Sequence, residues 1–272
     1  MTSYKQIPDN LDENSAFRET LELLGWNRLG EQISTFAITS QCREKCKNIE
    51  LPASISISRR YIEMTLEIGD LDKKIEGGLN FLGVHDLEDI LLRCLKGGAV
   101  SGEELLKVAE TLRTSRHIRR NIDDSITRPN ITAVLADVST LPDVQKVLEF
   151  GVEEGGRVAD RASRKLLESR RKWQGLRLEL RANLQHMIRQ YNSILQDHII
   201  SERSGRSVLA VKATAADQLF GIVHDTSATG NTIFVEPQSV IGLGNRIARV
   251  ESEIHQEEKR LLLEWSHLIG EH

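Results

Sequence analysis

Cysteine, proline, aromatic residues and long apolar runs are all scarce in this chain, and each scarcity excludes something. Three cysteines in 272 residues are an odd number. Nothing marks the chain as secreted, so a disulfide framework is excluded and a reducing, cytoplasmic setting is expected. Cys42 and Cys46 stand four apart, but zinc asks for four ligands and no histidine lies near the pair, so no metal site is expected. No apolar run reaches the ~18 residues of a membrane span. The opening MTSYKQIPDN lacks the apolar core of a signal peptide. Five prolines and 19 glycines exclude collagen-like and low-complexity chains. Aromatics make up 4% while 28% of residues are charged, a balance that suits long helices. The formal net charge of -4 is small, so any affinity for nucleic acid has to come from local charge. No lysine is followed by Ser or Thr. The G-x-x-x-x-G-K-[ST] phosphate cradle of a P-loop ATPase is therefore absent, and no catalytic residue or bound cofactor is expected in this chain.

What is present divides at about residue 155. Over 15–38, Phe17, Leu21, Leu24, Leu29, Ile33 and Phe36 recur at helical spacing behind a Ser15 cap. Residues 54–75 fit a helix with Ile55, Ile62, Leu66 and Ile68 toward a core, although Ile55 and Ile57 alternate as in a short strand. Gly77, Gly78 and Gly83 mark loops. His85–Leu95 reads as a helix stopped by Gly97 and Gly98. Ser101 and Glu104 form a capping box opening the next helix, whose apolar side is Leu105, Leu106, Ala109, Leu112 and Ile118. Prolines 129 and 142 break 128–144 into a loop and short helices. Residues 1–155 thus predict a helical core domain.

The second half changes character. From Val158 to His198 there is no proline, and every seventh residue is apolar: Ala159, Leu166, Trp173, Leu180, Met187, Ile194. The partner row Ala162, Ser169, Leu176, Asn183, Gln190 is mostly polar. A second seven-residue stripe, Val240, Ile247, Ile254, Leu261, Leu268, runs through 237–272. Between them lie short β-branched runs around Ser204-Gly205 and Thr226–Gly230. The pattern predicts a mainly α protein: a helix out (156–198), a small β tip (199–236) and an antiparallel helix back (237–272).

His224, Asp225 and Ser227 crowd three catalytic residue types into four positions, too close along one chain to converge as a triad. They read as turn and strand residues. Asp123-Asp124 and Glu153-Glu154 read as solvated acids. The strongest signal is charge. Between Arg157 and Arg189 stand ten basic and three acidic residues, a local +7, against -2 over 238–272. Two interpretations stay open: an electrostatic track for nucleic acid using Arg170, Arg171, Arg177 and Arg181, or a face whose charges pair with the acidic return helix. Arg203, Arg206 and Lys212, around the Ser204-Gly205 turn, are the candidate phosphate contacts of the β tip.

Several stretches resemble a known family. Glu19–Ala37 (ETLELLGWNRLGEQISTFA), Leu95–Arg113 (LKGGAVSGEELLKVAETLR), Gly156–Leu166 (GRVADRASRKL), Ser201–Ala213 (SERSGRSVLAVKA) and Gly221–Pro237 (GIVHDTSATGNTIFVEP) are similar, in this order, to the bacterial MutS paralogues of the second type. Ser207 replaces the usual aromatic residue, Ala210 the usual proline, and Gly242 and Gly244 the usual Glu and Asn. Those glycines each lower helix propensity by ~1 kcal/mol. The resemblance implies that residues 1–155 are the family's core and the helix–tip–helix its lever and clamp. It implies an ATPase domain using ATP and Mg, and then a Smr-type nuclease, beyond His272, so that this chain is an amino-terminal part of its parent. It also implies a homodimeric parent acting on branched or structured DNA in recombination suppression and DNA repair, with stalled ribosomes and their rRNA as a second target and no membrane partner. Apart from the resemblance, the residues also fit a non-catalytic helical scaffold with a coiled-coil arm.

Overall fold

The computed structural model describes residues 19–272 apart from Asp123, Ser125 and Asp137. Its described part is mainly helical with one four-stranded sheet, and the chain divides into two compact units. One unit comprises the residues up to Glu149 with Glu154–Gly156 and His267–His272; the other comprises Phe150–Glu153 and Arg157–Ser266.

The first unit holds α1 (Trp26–Ser34), α2 (Ser40–Lys47), α3 (Ile55–Lys74), α4 (Glu88–Leu95), α5 (Gly102–Ile122), α6 (Pro129–Leu135) and most of α7 (Pro142–Gly151). The single helix expected over 15–38 is interrupted. Gly25 adopts φ +69°, a left-handed conformation open to glycine, and α1 starts after it. Ser15 and Phe17 lie outside the described residues, and Leu24 and Phe36 are exposed rather than core. Helix α3 forms where expected, and Ser54 caps it by accepting from the Ile57 amide at 3.3 Å. Its inward face differs from the expected one. Ile55, Ile62, Leu66 and Ile68 are exposed, while Leu71 packs with Ile118, Ile122 and Ile131, and Met64 and Ile75 lie against them. The capping box closes as its spacing requires. The Ser101 amide donates to Glu104 at 2.8 Å and the Glu104 amide to Ser101 Oγ at 3.3 Å. Glu67 of α3 accepts from the Asn130 and Ile131 amides, satisfying two first-turn donors of α6.

In the second unit the helix expected over 158–198 is shorter at both ends. Val158 bridges Val152, Asp160–Ala162 form one 3-10 turn, and α8 spans Arg164–Gln190 behind a Ser163 cap. At ~1.5 Å per residue it is about 40 Å long. A second 3-10 turn (Asn192–Ile194) leads into β1 (Leu195–Arg203), then β2 (Arg206–Lys212), β3 (Gly221–Thr226) and β4 (Thr232–Pro237). The sheet is antiparallel in the order β1-β2-β4-β3. Ser204 (φ +50°) and Gly205 (φ +73°) make the two-residue β1–β2 turn, whose left-handed residues match the twist of paired strands. Helix α9 (Gln238–Gly270) follows β4 directly.

Helices α8 and α9 are antiparallel: Ser163 bonds Glu257, Trp173 bonds Glu251, and Ser239 meets Met187. Leu176, Leu180 and Leu184 of α8 share one core with Val240, Leu243, Ile247 and Val250 of α9 and with Leu209, Val211 and Val235 of the sheet. The sheet that joins the two helices therefore packs on them, because its apolar residues need a surface to bury against. Of the expected α8 stripe, Leu166 and Leu180 are buried, and Trp173 and Met187 partly so. Leu184 replaces the exposed Asn183 in the second row, as a 3.6-residue repeat drifts from strict heptads.

Candidate nucleic-acid interface

The cations of α8 fall into two groups. Near its start they are paired. Arg164 meets Glu168 at 2.7 Å and Lys165 meets Glu257 at 3.1 Å. Arg170 is nine-tenths buried. Its guanidinium bonds Asp160, Glu258 at 2.5 Å and the Val158 carbonyl at 2.8 Å. Burial opposes its charge, but the hydrogen bonds to Asp160 and Glu258 outweigh that and raise its pKa. Arg170 thus anchors the segment before α8 to both helices, and its expected role as a phosphate contact is withdrawn: a phosphate has no access to its donors.

Beyond Arg170 the pattern reverses. Arg171, Arg177 and Arg181, and also Lys172 and Arg189, are exposed. None of the ion pairs found among the described residues includes them. Arg177 lies over the Trp173 ring, 5.4 Å from its centroid, an arrangement that leaves its donors open. At 100° per residue, Arg171 and Arg189 fall opposite the buried Leu176–Leu184 row, Arg181 lies about 80° round from them, and Arg177 about 120° round, at the edge of that row.

The three sheet cations are engaged internally. Arg203 stacks on Phe234, 4.1 Å from the centroid, and pairs with Asp225 at 3.1 Å. Lys212 Nζ donates to the Ser193 carbonyl at 2.9 Å. Arg206 donates to Asn245 at 2.9 Å and lies 3.5 Å from the buried Glu236. Glu236 also holds His224 Nε2 at 2.8 Å, aided by a bulge between Val223 and Asp225. A Cβ at Gly244 would come within 2.9 Å of Arg206 and 3.0 Å of Glu236, so this helical glycine leaves room for the Arg206–Glu236 pair. The pairing links residues about thirty apart, and no local pattern announces it. His224, Asp225 and Ser227 do not converge. Each bonds a different partner: Glu236, Arg203 and the Thr232 amide. Among the described residues no group of three or more His, Cys, Asp or Glu could hold a metal, and no helix is long and apolar enough to cross a membrane.

Glu257 is the most perturbed acid of the helix pair. The Arg260 guanidinium, joined by Ser163 and Lys165 and opposed by burial, lowers its pKa from the ordinary 4.5 to about 2. A depressed carboxyl pKa contributes stability above the unfolded value, and that stability is lost as pH falls from about 4.5 toward about 2. The full shift corresponds to ~3 kcal/mol, and screening of the exposed Arg260 and Lys165 ends reduces it to about 2 kcal/mol. Glu257→Gln is expected to lose about that much in urea denaturation at pH 7 and to show a shallower stability decline between pH 5 and pH 3.

These elements define a class: an antiparallel helix pair carrying a small antiparallel sheet and a set of exposed arginines outside its ion pairs. No protein-family model matches the chain. It is similar to curated proteins named Endonuclease MutS2. It is 36% identical over 253 residues to that of Synechocystis sp., 31% over 258 residues to that of Pelotomaculum thermopropionicum and 30% over 254 residues to that of Symbiobacterium thermophilum. The matches take in 93%, 94% and 92% of this chain but 31%, 33% and 32% of those relatives. The chain thus spans about a third of the length of the curated relatives it matches.

Proposed function

We propose that this chain is a non-catalytic, nucleic-acid-contacting region of a MutS2-type protein, corresponding to core, lever and clamp. The observation that carries the reading is the set of exposed arginines Arg171, Arg177, Arg181 and Arg189 on α8, none of which joins an ion pair among the described residues, while the cations near the start of the same helix are paired. Such a set offers charge to phosphates without first breaking an ion pair. In this reading the parent is a cytoplasmic homodimer. It draws on ATP and Mg in an ATPase domain, acts on branched DNA and possesses the nuclease activity that its relatives' name carries. Ribosomal RNA is the second structured polyanion it would meet. Within this chain, α8 and α9 form a stiff arm, and the sheet braces it.

The test is the salt dependence of binding. A fluorescent four-way junction should bind weakly, with log affinity falling against log salt by ~0.9 for each phosphate contacted. An affinity that does not respond to salt would remove the electrostatic basis of the reading. A scaffold function draws on a different observation, the exposed apolar residues Phe220, Ile222 and Val223 at the β3 edge. It entails protein capture that persists at high salt.

A further inference from the structure

A groove of about 770 Å³ runs between α8 and β1, within the second unit. Its walls carry Trp173, Arg177, Leu178 and Arg181 from α8, and His198 and Ile199 from β1. Leu178 and Ile199 are 69% and 63% exposed, an unusual state for two large apolar side chains facing one groove. No acid belongs to its lining. β1 is an edge strand, and its bulge between Leu195 and Ile200 disrupts the ladder on this stretch, which disfavours addition of a peptide strand there.

We propose that this groove takes a single-stranded stretch of nucleic acid, with phosphates on Arg177 and Arg181 and unpaired bases against the apolar wall. The proposal rests on the nucleic-acid reading above and adds the form of the ligand. Two observations favour a single strand over a duplex. A duplex presents sugar and phosphate to a groove of this size, which would leave Leu178 and Ile199 facing charge. Unpaired bases present flat apolar faces that stack on aromatic rings and guanidinium planes. Trp173 and Arg177 supply such a surface together: the ring is held by Nε1 donating to Glu251 at 2.8 Å, and the Arg177 guanidinium over the ring is the plane that a base meets. The occupant must be anionic, because both charged side chains of the lining are arginines. Gln174, Gln185 and Ser207, also in the lining, provide the sparse polar contacts that base edges require.

The full chain would be titrated with fluorescein-labelled oligo(dT), with a mixed-sequence duplex and with a labelled polyglutamate peptide. Oligo(dT) is expected to bind with a salt slope of about -1.4, two contacts at ~0.7 each, and to quench tryptophan emission. Trp173→Phe should remove most of that quenching. Leu178→Gln with Ile199→Thr, uncharged changes at exposed positions checked for intact folding by circular dichroism, should weaken oligo(dT) about tenfold or more and leave the duplex nearly unchanged. Equal binding of oligo(dT) by this variant and the parent chain would overturn the groove proposal and leave the broader reading standing. So would duplex binding without oligo(dT) binding. Capture of polyglutamate instead of oligo(dT), abolished by the same variant, would overturn it in favour of an acidic protein partner. Failure of every nucleic acid to bind would overturn both readings.

Discussion

Replacing Arg170 by alanine is expected to destabilise the second unit by about 3 kcal/mol, measured by urea denaturation at neutral pH. The guanidinium is nine-tenths buried and bonds three acceptors, on Asp160, Glu258 and the Val158 carbonyl. Removing it leaves Glu258 and the Val158 carbonyl without that donor, while Asp160 keeps Arg157 at 3.0 Å, and unpaired buried groups carry the larger penalty. Asp160 and Glu258 keep partial access to water, which holds the loss near the low end of the range for broken buried pairs. Lysine is expected to recover only part of it, since one ammonium does not reproduce the planar fork that reaches Asp160 and Glu258 together. The same variant separates two roles. As an anchor, Arg170 should affect stability strongly and the salt slope of nucleic-acid binding hardly at all. A stable Arg170→Ala protein with a flattened slope would restore it to the interface.

Leu184→Ala is expected to be at least as damaging, at about 3–4 kcal/mol. Leu184 is completely buried, in the core where α8, α9 and the sheet converge. Truncation leaves a cavity bordered by three elements that cannot collapse independently, which places the loss in the middle of the range for Leu→Ala. Asn183→Ala, one residue earlier and exposed, should change stability by less than about 0.5 kcal/mol. A small effect at Leu184 would mean that the sheet does not pack on the helices as described.

Legibility from sequence followed the range of the determining interaction. The Ser101–Glu104 capping box, the Ser204-Gly205 turn and the uninterrupted 238–270 helix depend on residues a few positions apart, and they were readable. Helix α3 shows where local pattern stops. It carries two apolar stripes of similar spacing, one through Ile55, Ile62 and Leu66 and one through Met64, Leu71 and Ile75. The inward one is selected by Ile118, Ile122 and Ile131, some fifty residues away. The surface that the sheet covers lies beyond local pattern for a related reason. Alternating strands announce a sheet but not the surface it covers, and here that surface is Leu176–Leu184 and Val240–Val250. Among the candidate interface residues, counting charge treated ten cations alike. One further signal was available: Arg170 is four residues after Leu166 and three before Trp173, so it shares the apolar face and needed a buried partner. The engagement of Arg206 by Glu236 and Asn245 had no such signal, because the partners come from a non-sequential strand pairing and a following helix.

The most direct measurement of the central claim is the salt slope of duplex affinity for a variant with Arg171, Arg177, Arg181 and Arg189 all changed to glutamine. All four are exposed, so folding should be retained. If these α8 arginines carry the phosphate contacts, the variant should lose about 2–4 from the slope of log affinity against log salt, at ~0.9 per contact, and bind weakly at all salt concentrations. A variant that keeps the full slope and affinity would contradict the account, because the exposed arginines of α8 that carry it would then make no contact.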